Sequence, residues 1–316
     1  MNIVSLFSGC GGLDLGFKNA GYKILWANDI FEDAALTYAK NIGDHISTED
    51  ITNIKIEDIP ECDGIIGGFP CQGFSVANTK RNVDDKRNKL YLEFIRVING
   101  KKPKFFVAEN VKGILSIGKG QVFPKILEDF NDCGYNVKHH LFNVADYGVP
   151  QTRQRVILFG VRSDLLDSIS IKFPPSPTHL KEVGLFNSLK SWVSCGEALS
   201  DIPEPSEMSN LPNHTGSKYK MKFNGHLGHR YVDPDKPAPT ITARGDDKGG
   251  VVIIHHPNNQ RRMTVRETAT IQSFPLDFVF TGSNSSAYRQ IGNAVPPLFA
   301  EHIAKNISST FNNIRH

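Results

Sequence analysis

Cys71 stands in GGFPCQGFS (67–75), directly after the short apolar run CDGII. A cysteine held as its thiolate is a nucleophile and a covalent catalyst. Pro70 fixes its own φ and keeps the preceding residue out of the helical region. Gly67 and Gly68 allow close backbone approach. The thiol is therefore held where a strand ends. A lone cysteine is otherwise a small buried hydrophobe. The five here (Cys10, Cys62, Cys71, Cys133 and Cys195) are scattered and form no C-x-x-C pair, which argues against a disulfide framework or a zinc site.

Further groups could act with such a thiol. Glu109 and Asn110 end the apolar run of AENV (108–111). A partly desolvated Glu109 suits a general acid, and a helix cap is an equal reading. In QTRQRVILFG, Arg153 and Arg155 alternate along a strand and so share one face. Two guanidiniums on one side suit a phosphate, a carboxylate or a base carbonyl, against surface salt bridging at even weight. FSGCGGLDLGF (7–17) places glycines at 9, 11 and 12 after the first strand, and Asp29 follows 18 residues after Gly11. Such a turn cradles a nucleoside-containing cofactor, with the acid on its ribose. Asp14 occupies the third position of G-x-G-x-x-G, so the pattern is half met and NAD stays open. Gly292 and Asn293 form a turn in YRQIGNAVPP (288–297). The adjacent pairs His139–His140 and His255–His256 point to opposite strand faces and suit solvent better than a metal, so no metal site is expected.

These groups need a frame. Strand-like NIVSLF, YKILWAND, CDGIIGG, KPKFFVAEN, NVKHHLFNV and RVILFGV alternate with helical LDLGFKNAG, FEDAALTYAKNIG, NKLYLEFIRVING and VFPKILEDFNDCG. The alternation predicts an α/β fold with a mostly parallel sheet and helices on both faces. Leu90, Phe94, Val97 and Ile98 line one face of the third helix. After about residue 170 the chain turns Pro/Ser/Asn-rich, with short strand-like pieces at 239–243 and 250–256. Residues 1–180, completed by 286–316, read as the catalytic and cofactor-binding domain, and 181–285 as a smaller irregular one. Helical signals return at 264–274 and in a closing helix with prolines in its first turn.

Composition sets the class. Of 316 residues, 39% are hydrophobic and 22% charged, as in an ordinary globular protein. No apolar run approaches a membrane span, and the first residues lack a signal peptide's basic region and cleavage site. A cytoplasmic protein without membrane association is expected. From His214 to Arg262 there are nine Lys/Arg and four Asp/Glu, net +5 in a chain of +3, leaving −2 elsewhere. A basic region on a near-neutral body suits a polyanion, and a solvated loop face suits it equally.

Taken in order, FSGCGGLDLGF, the acid after strand two, GFPCQGFS, ENV, QTRQR, a variable region, RRMTVRETATIQSFP and IGNAVPP resemble the cytosine-C5 DNA methyltransferases, over nearly the whole chain except about 170–258. The resemblance implies a Rossmann-like methyltransferase core with a target-recognition domain. It implies S-adenosyl-L-methionine as methyl donor, S-adenosyl-L-homocysteine as product, and cytosine in double-stranded DNA as acceptor. Cys71 would add to carbon 6 of the base. Glu109 would bind N3 and the exocyclic amine, Arg155 would hold O2, and Arg153 would support the same pocket. Phe7, Gly9, Gly11, Gly12 and Leu13 would line the cofactor site. Asp29 would meet the ribose and Asp50 the adenine amine with Ile51 beside it, and Pro70, Leu90 and Asn293 would complete the site. Ile30 stands where many members carry a Trp that stacks on the adenine, so weaker stacking is expected. Cys10 falls at a position the family varies.

The target base must be flipped out to reach such a pocket. The polar loop 72–90 would close over the DNA through Ser75, Lys80 and Arg81. Lys218, Lys220, Lys222, Arg230 and Arg244 would contact DNA from the recognition domain. A restriction–modification methylase is implied, monomeric, sharing its site with a cognate endonuclease without a stable complex. The alternatives are a tRNA cytosine-C5 methyltransferase, disfavoured by the basic variable region and the lack of the CFT tripeptide that marks that branch, and a catalytically silent DNA-binding protein of the same fold. An NAD-dependent dehydrogenase leaves PCQ unexplained.

Overall fold

The computed structural model describes residues 1–70, 86–182, 188–205, 210–216, 223, 231–243 and 255–311, with side chains of the third helix from Leu90 onward. Cys71, Ser75, Lys80, Arg81, Lys218, Lys220, Lys222, Arg230 and Arg244 lie outside the described residues.

Strand and helix alternate as the apolar pattern requires. β1 (Asn2–Leu6) leads to α1 (Gly12–Asn19), β2 (Lys23–Asn28) to α2 (Glu32–Asn41), and β3 (Ile46–Ser47) precedes β4 (Gly64–Gly67). Then come α3 (Lys86–Lys101), β5 (Phe105–Val111), α4 (Val122–Asp132), β6 (Tyr135–Asn143), β7 (Gln151–Thr152) and β8 (Gln154–Arg162). Short pieces follow: β9 (His179–Leu180), β10 (Lys190–Ser191), α5 (Cys195–Leu199) and β11 (Ala238–Pro239). The chain closes with α6 (Val265–Ile271), α7 (Asn284–Asn293) and α8 (Pro297–Phe311).

Seven strands form one sheet in the order β3-β2-β1-β4-β5-β8-β6. Pairing is parallel from β3 through β5, and β8 runs antiparallel to both β5 and β6. The period of two divides the core. Ile3, Ile66, Phe105, Val107 and Ile157 pack with Phe17 of α1 and Phe299 and Ile303 of α8. Val4, Ile65, Phe106, Ala108 and Leu158 pack on the other face with Phe94 and Val97 of α3 and Phe130 of α4. Each fully buried side chain of this size contributes about 1.5–3 kcal/mol. A third cluster joins Cys10, Ile241, Ala269, Ile291 and Ala294.

Two consequences concern the site. Parallel β1, β2, β4 and β5 all end at one sheet edge, where ligands bind in such folds. Antiparallel β8 begins at that same edge, with Arg155 opposite Val111. The strand expected at 239–243 is shorter: only Ala238–Pro239 pairs, in parallel, with Gln151–Thr152. Beyond it a side chain replaces the ladder, since the Ile241 N–H donates to Gln151 Oε1 at 2.9 Å.

Candidate active site

Glu109 and Arg155 meet at the sheet edge. Glu109 faces Ile157 and Arg155 faces Val111 across the antiparallel pair, a diagonal that puts both side chains on one face. Arg155 Nε lies 2.7 Å from Glu109 Oε1, each side chain 11% exposed. A carboxylate so far from water needs its cation, and the pair leaves Glu109 Oε2 and the far guanidinium nitrogens for a third group. Arg155 Nη1 also donates to the Gln154 carbonyl at 2.8 Å. Gly68 passes directly beside the acid: a Cβ there would stand 2.9 Å from Glu109 Oε2. Any larger residue would displace the carboxylate.

Asn110 holds the strand that leads to Cys71. Its Nδ2 donates to the Phe69 carbonyl at 2.9 Å, and its Oδ1 accepts from the Val111 N–H at 3.0 Å. The backbone two residues before Cys71 is thereby tied to the strand carrying Glu109. The sequence alone shows Asn110 only as part of a strand end.

Arg153 and Arg155, two residues apart, have different partners. Arg153 lies in the break between β7 and β8, fully buried. Its guanidinium donates to the carbonyls of Ile241 at 2.7 Å, Gly292 at 2.8 Å and Ala294 at 3.1 Å. Three backbone acceptors hold this guanidinium, whose charge is also felt by Arg155 and Glu109.

A cleft of about 480 Å³ opens beside Arg155, lined by Lys112, Asn143, Thr152, Gln154 and Thr240 among others. Lys112 and Thr240 were not singled out from the sequence. Thr240 reaches the cleft because its Oγ1 donates to the Thr152 carbonyl at 2.6 Å, a contact between residues distant in the chain.

At the ends of β1 and β2 the glycine turn takes shape. Phe7, Gly9 and Gly11 have positive φ of 55°, 56° and 87°. The Gly9 N–H donates to Asp29 Oδ2 at 2.7 Å, and the Phe31 N–H to Oδ1 at 2.9 Å. Burial raises the Asp29 pKa, and these N–H groups and the Arg289 charge oppose that rise. Arg289 also lies over the Phe31 ring at 4.6 Å. Gly11 caps α1 and Gly12 opens it. The Leu13 and Ile51 side chains are buried in the core clusters. Asp50 Oδ1 accepts from Thr52 N and Oγ1, which holds its pKa down. Pro70 and Leu90 are half-buried, and Asn293 is exposed at the end of α7.

The donor set fits a nucleoside cofactor. A Cβ on Gly9 would meet nothing within 4 Å, so bare backbone faces open space. Beside it stand a carboxylate for hydroxyls, at Asp29, and an apolar side chain for a flat ring, at Ile30, 65% exposed. Among the described residues no cluster of three or more His, Cys, Asp or Glu could hold a metal, and no helix is long and apolar enough to cross a membrane.

The family model for C-5 cytosine-specific DNA methylase matches residues 1–309. The chain belongs to this family. The methylase is 42% identical to Type II methyltransferase M.NgoFVII of Neisseria gonorrhoeae, over 98% of this chain and 87% of that one. It is 38% identical to Type II methyltransferase M.BsuRI of Bacillus subtilis, over 98% and 79%. Its fold matches a prophage-encoded E. coli protein described as a DNA modification methyltransferase (TM-score 0.75, 28% identity, 99% of both chains). It also matches S. pombe Dnmt2 methyltransferase (TM-score 0.69, 19% identity, 100% and 99%), a likeness of fold. The methylase is thus a DNA (cytosine-5-)-methyltransferase that uses S-adenosylmethionine.

One buried acid in the methylase was read from sequence only as a misfit in the glycine pattern. Asp14 is fully buried in α1 and accepts from Ser5 Oγ and Tyr38 OH, both at 2.9 Å. Burial pushes its pKa up to about 7, against those two hydrogen bonds. The folded chain therefore holds this proton more tightly than the unfolded chain does. The stability it contributes is complete below the ordinary Asp range and is lost as pH rises towards 7. Asp14→Asn is expected to remove that decline between about pH 4 and 7. Melting temperatures measured across that window test this, and a variant slope equal to the parent's would refute it.

Proposed function

We propose that Cys71, Glu109 and Arg155 form the cytosine site of a type II modification methylase. The observation that carries the reading is the Glu109–Arg155 pair at 2.7 Å, on the sheet edge to which Asn110 ties the chain leading into Cys71. An acid and a guanidinium side by side match the edge of cytosine. Glu109 gives a proton to N3 as the thiolate adds and takes it back on elimination, it accepts from the exocyclic amine, and Arg155 donates to O2. The Cys71 thiolate adds to carbon 6, forming a C–S bond and making carbon 5 an enamine carbon nucleophilic enough to be methylated. S-adenosylmethionine, when bound, supplies the electrophilic methyl group. Loss of the carbon 5 proton to a base and expulsion of the Cys71 thiolate then restore the aromatic ring. Arg153, held by three backbone carbonyls, supports the same pocket as a positioning residue.

Phe7, Gly9, Gly11, Gly12 and Leu13 line the cofactor pocket through their backbone. Asp29 takes the ribose hydroxyls, Ile30 packs on the adenine, and Asp50 and Ile51 meet its edge. Pro70, Leu90 and Asn293 close the pocket. Residues 1–180 with 286–316 carry the chemistry, and 181–285 recognise the target. Ser75, Lys80 and Arg81 close on the flipped base, and Lys218, Lys220, Lys222, Arg230 and Arg244 contact DNA. The type II relatives support a role in shielding host DNA from an endonuclease that reads the same sequence. The methylase acts as a monomer and does not hold that endonuclease.

Incubation with methyl-labelled S-adenosylmethionine and either duplex DNA or tRNA tests the reading. Label is expected in DNA as 5-methylcytosine at one recurring sequence. Label confined to tRNA would overturn it.

A further inference from the structure

Between the recognition segment, the arginine motif and the closing turn lies a buried polar knot that the chemistry does not use. Gln151 is fully buried, and its Oε1 accepts from the Ile241 N–H at 2.9 Å. Its Nε2 donates to Oε1 of Gln272, also fully buried. Gln272 Nε2 in turn donates to the carbonyls of Ile291 at 3.0 Å and Ala294 at 2.8 Å. Arg153 spans the same two segments, from the Ile241 carbonyl to those of Gly292 and Ala294. The backbones themselves touch: a Cβ on Gly292 would lie 2.4 Å from the Thr242 carbonyl. Both the N–H and the C=O of Ile241 are thus held by side chains that lead directly, or through one further amide, to the turn bearing Asn293.

The geometry points to Gln151 and Gln272 as positioning residues that couple DNA recognition to cofactor binding. This rests on the reading that 239–244 belongs to the recognition domain and that Asn293 faces the cofactor. Each amide in the chain donates and accepts with fixed polarity, and every member is buried, so none can move without leaving a polar group unpaired. DNA that orders the segment at Ile241 therefore orders the turn at 291–294. Linkage makes the effect reciprocal: DNA tightens cofactor binding by the factor by which cofactor tightens DNA binding.

The test is calorimetric titration of S-adenosylhomocysteine into the full chain, with and without a duplex containing its methylated sequence. The parent is expected to bind several-fold more tightly with DNA present, within the roughly 5–150-fold range of such couplings. Gln272→Glu keeps the acceptor for Gln151 and the side-chain size but loses both donations to the turn. Gln151→Glu keeps the acceptor for Ile241 but loses the donation to Gln272. In both, the ratio of affinities with and without DNA is expected to fall towards one. Binding of each ligand alone should be retained. A ratio unchanged in both variants would overturn the proposal, as would a parent that binds the two ligands independently. Should both variants fail to fold, hydrogen exchange on the parent decides. Added DNA should slow exchange of the 291–294 amides, and no change there refutes the coupling. Failure of the underlying functional reading looks different, because then neither ligand binds.

Discussion

Cys71→Ser is expected to abolish methyl transfer, lowering turnover by on the order of 10⁴-fold or more. A serine hydroxyl at the same place is a far weaker nucleophile at neutral pH, and without the carbon–sulfur bond carbon 5 never becomes an enamine carbon. Binding of DNA and of S-adenosylhomocysteine should survive, because serine is close to cysteine in size and the other groups of both pockets are untouched. A duplex with fluorine in place of the carbon 5 hydrogen separates the steps. Fluorine cannot leave as a cation, so the adduct forms and stalls. The parent should then give a complex that survives denaturation, and Cys71→Ser should give none. Near-normal turnover in Cys71→Ser, or a stable adduct formed by it, would rule out covalent catalysis through this residue.

Arg153 and Arg155 are two residues apart and should fail in different ways. Arg153→Met leaves the Ile241 and Gly292 carbonyls buried without the donor they now share. At about 1–3 kcal/mol for each of the two orphaned groups, the loss is about 2–6 kcal/mol. In a chain of this size that is a fall of several degrees in Tm. Arg155→Met removes the cation beside Glu109 and the donor proposed for O2. It should cost about 10²–10³-fold in turnover, the scale of one lost electrostatic contact in a site of this kind. Because it also leaves the buried Glu109 without its cation, Arg155→Met should lower Tm as well, and the loss of turnover separates the two variants. Melting curves and single-turnover rates on the two variants check both halves. If Arg153→Met melted like the parent and lost only turnover, the structural assignment of Arg153 would be wrong.

The divergence of these two arginines shows where sequence reasoning reaches its limit. Q-x-R-x-R does not say what each arginine meets, and the acceptors of Arg153 lie 88 to 141 positions away. Glu109 was legible as a residue at a strand end. Its pairing with Arg155 needed the antiparallel register of β5 and β8, which local pattern does not encode. Asn110, Gln151 and Gln272 were overlooked as positioning groups for a related reason. A buried amide is recognised by the partners it satisfies, and those partners come from other segments.

What the sequence determined by itself is the alternation of strand and helix, the glycine turn after β1, and the order of motifs that carries the family. These follow from local effects: apolar periodicity, the backbone freedom of glycine and the rigidity of proline. The tertiary structure decided which charges face the site and which are spent inside. Glu109 and Arg155 end on a shared face because β8 enters at the edge where the parallel strands leave. Arg153, Gln151 and Gln272 turn inward because buried carbonyls of distant segments must find donors. Burial and hydrogen-bond satisfaction are properties of the packed chain, which no local pattern encodes.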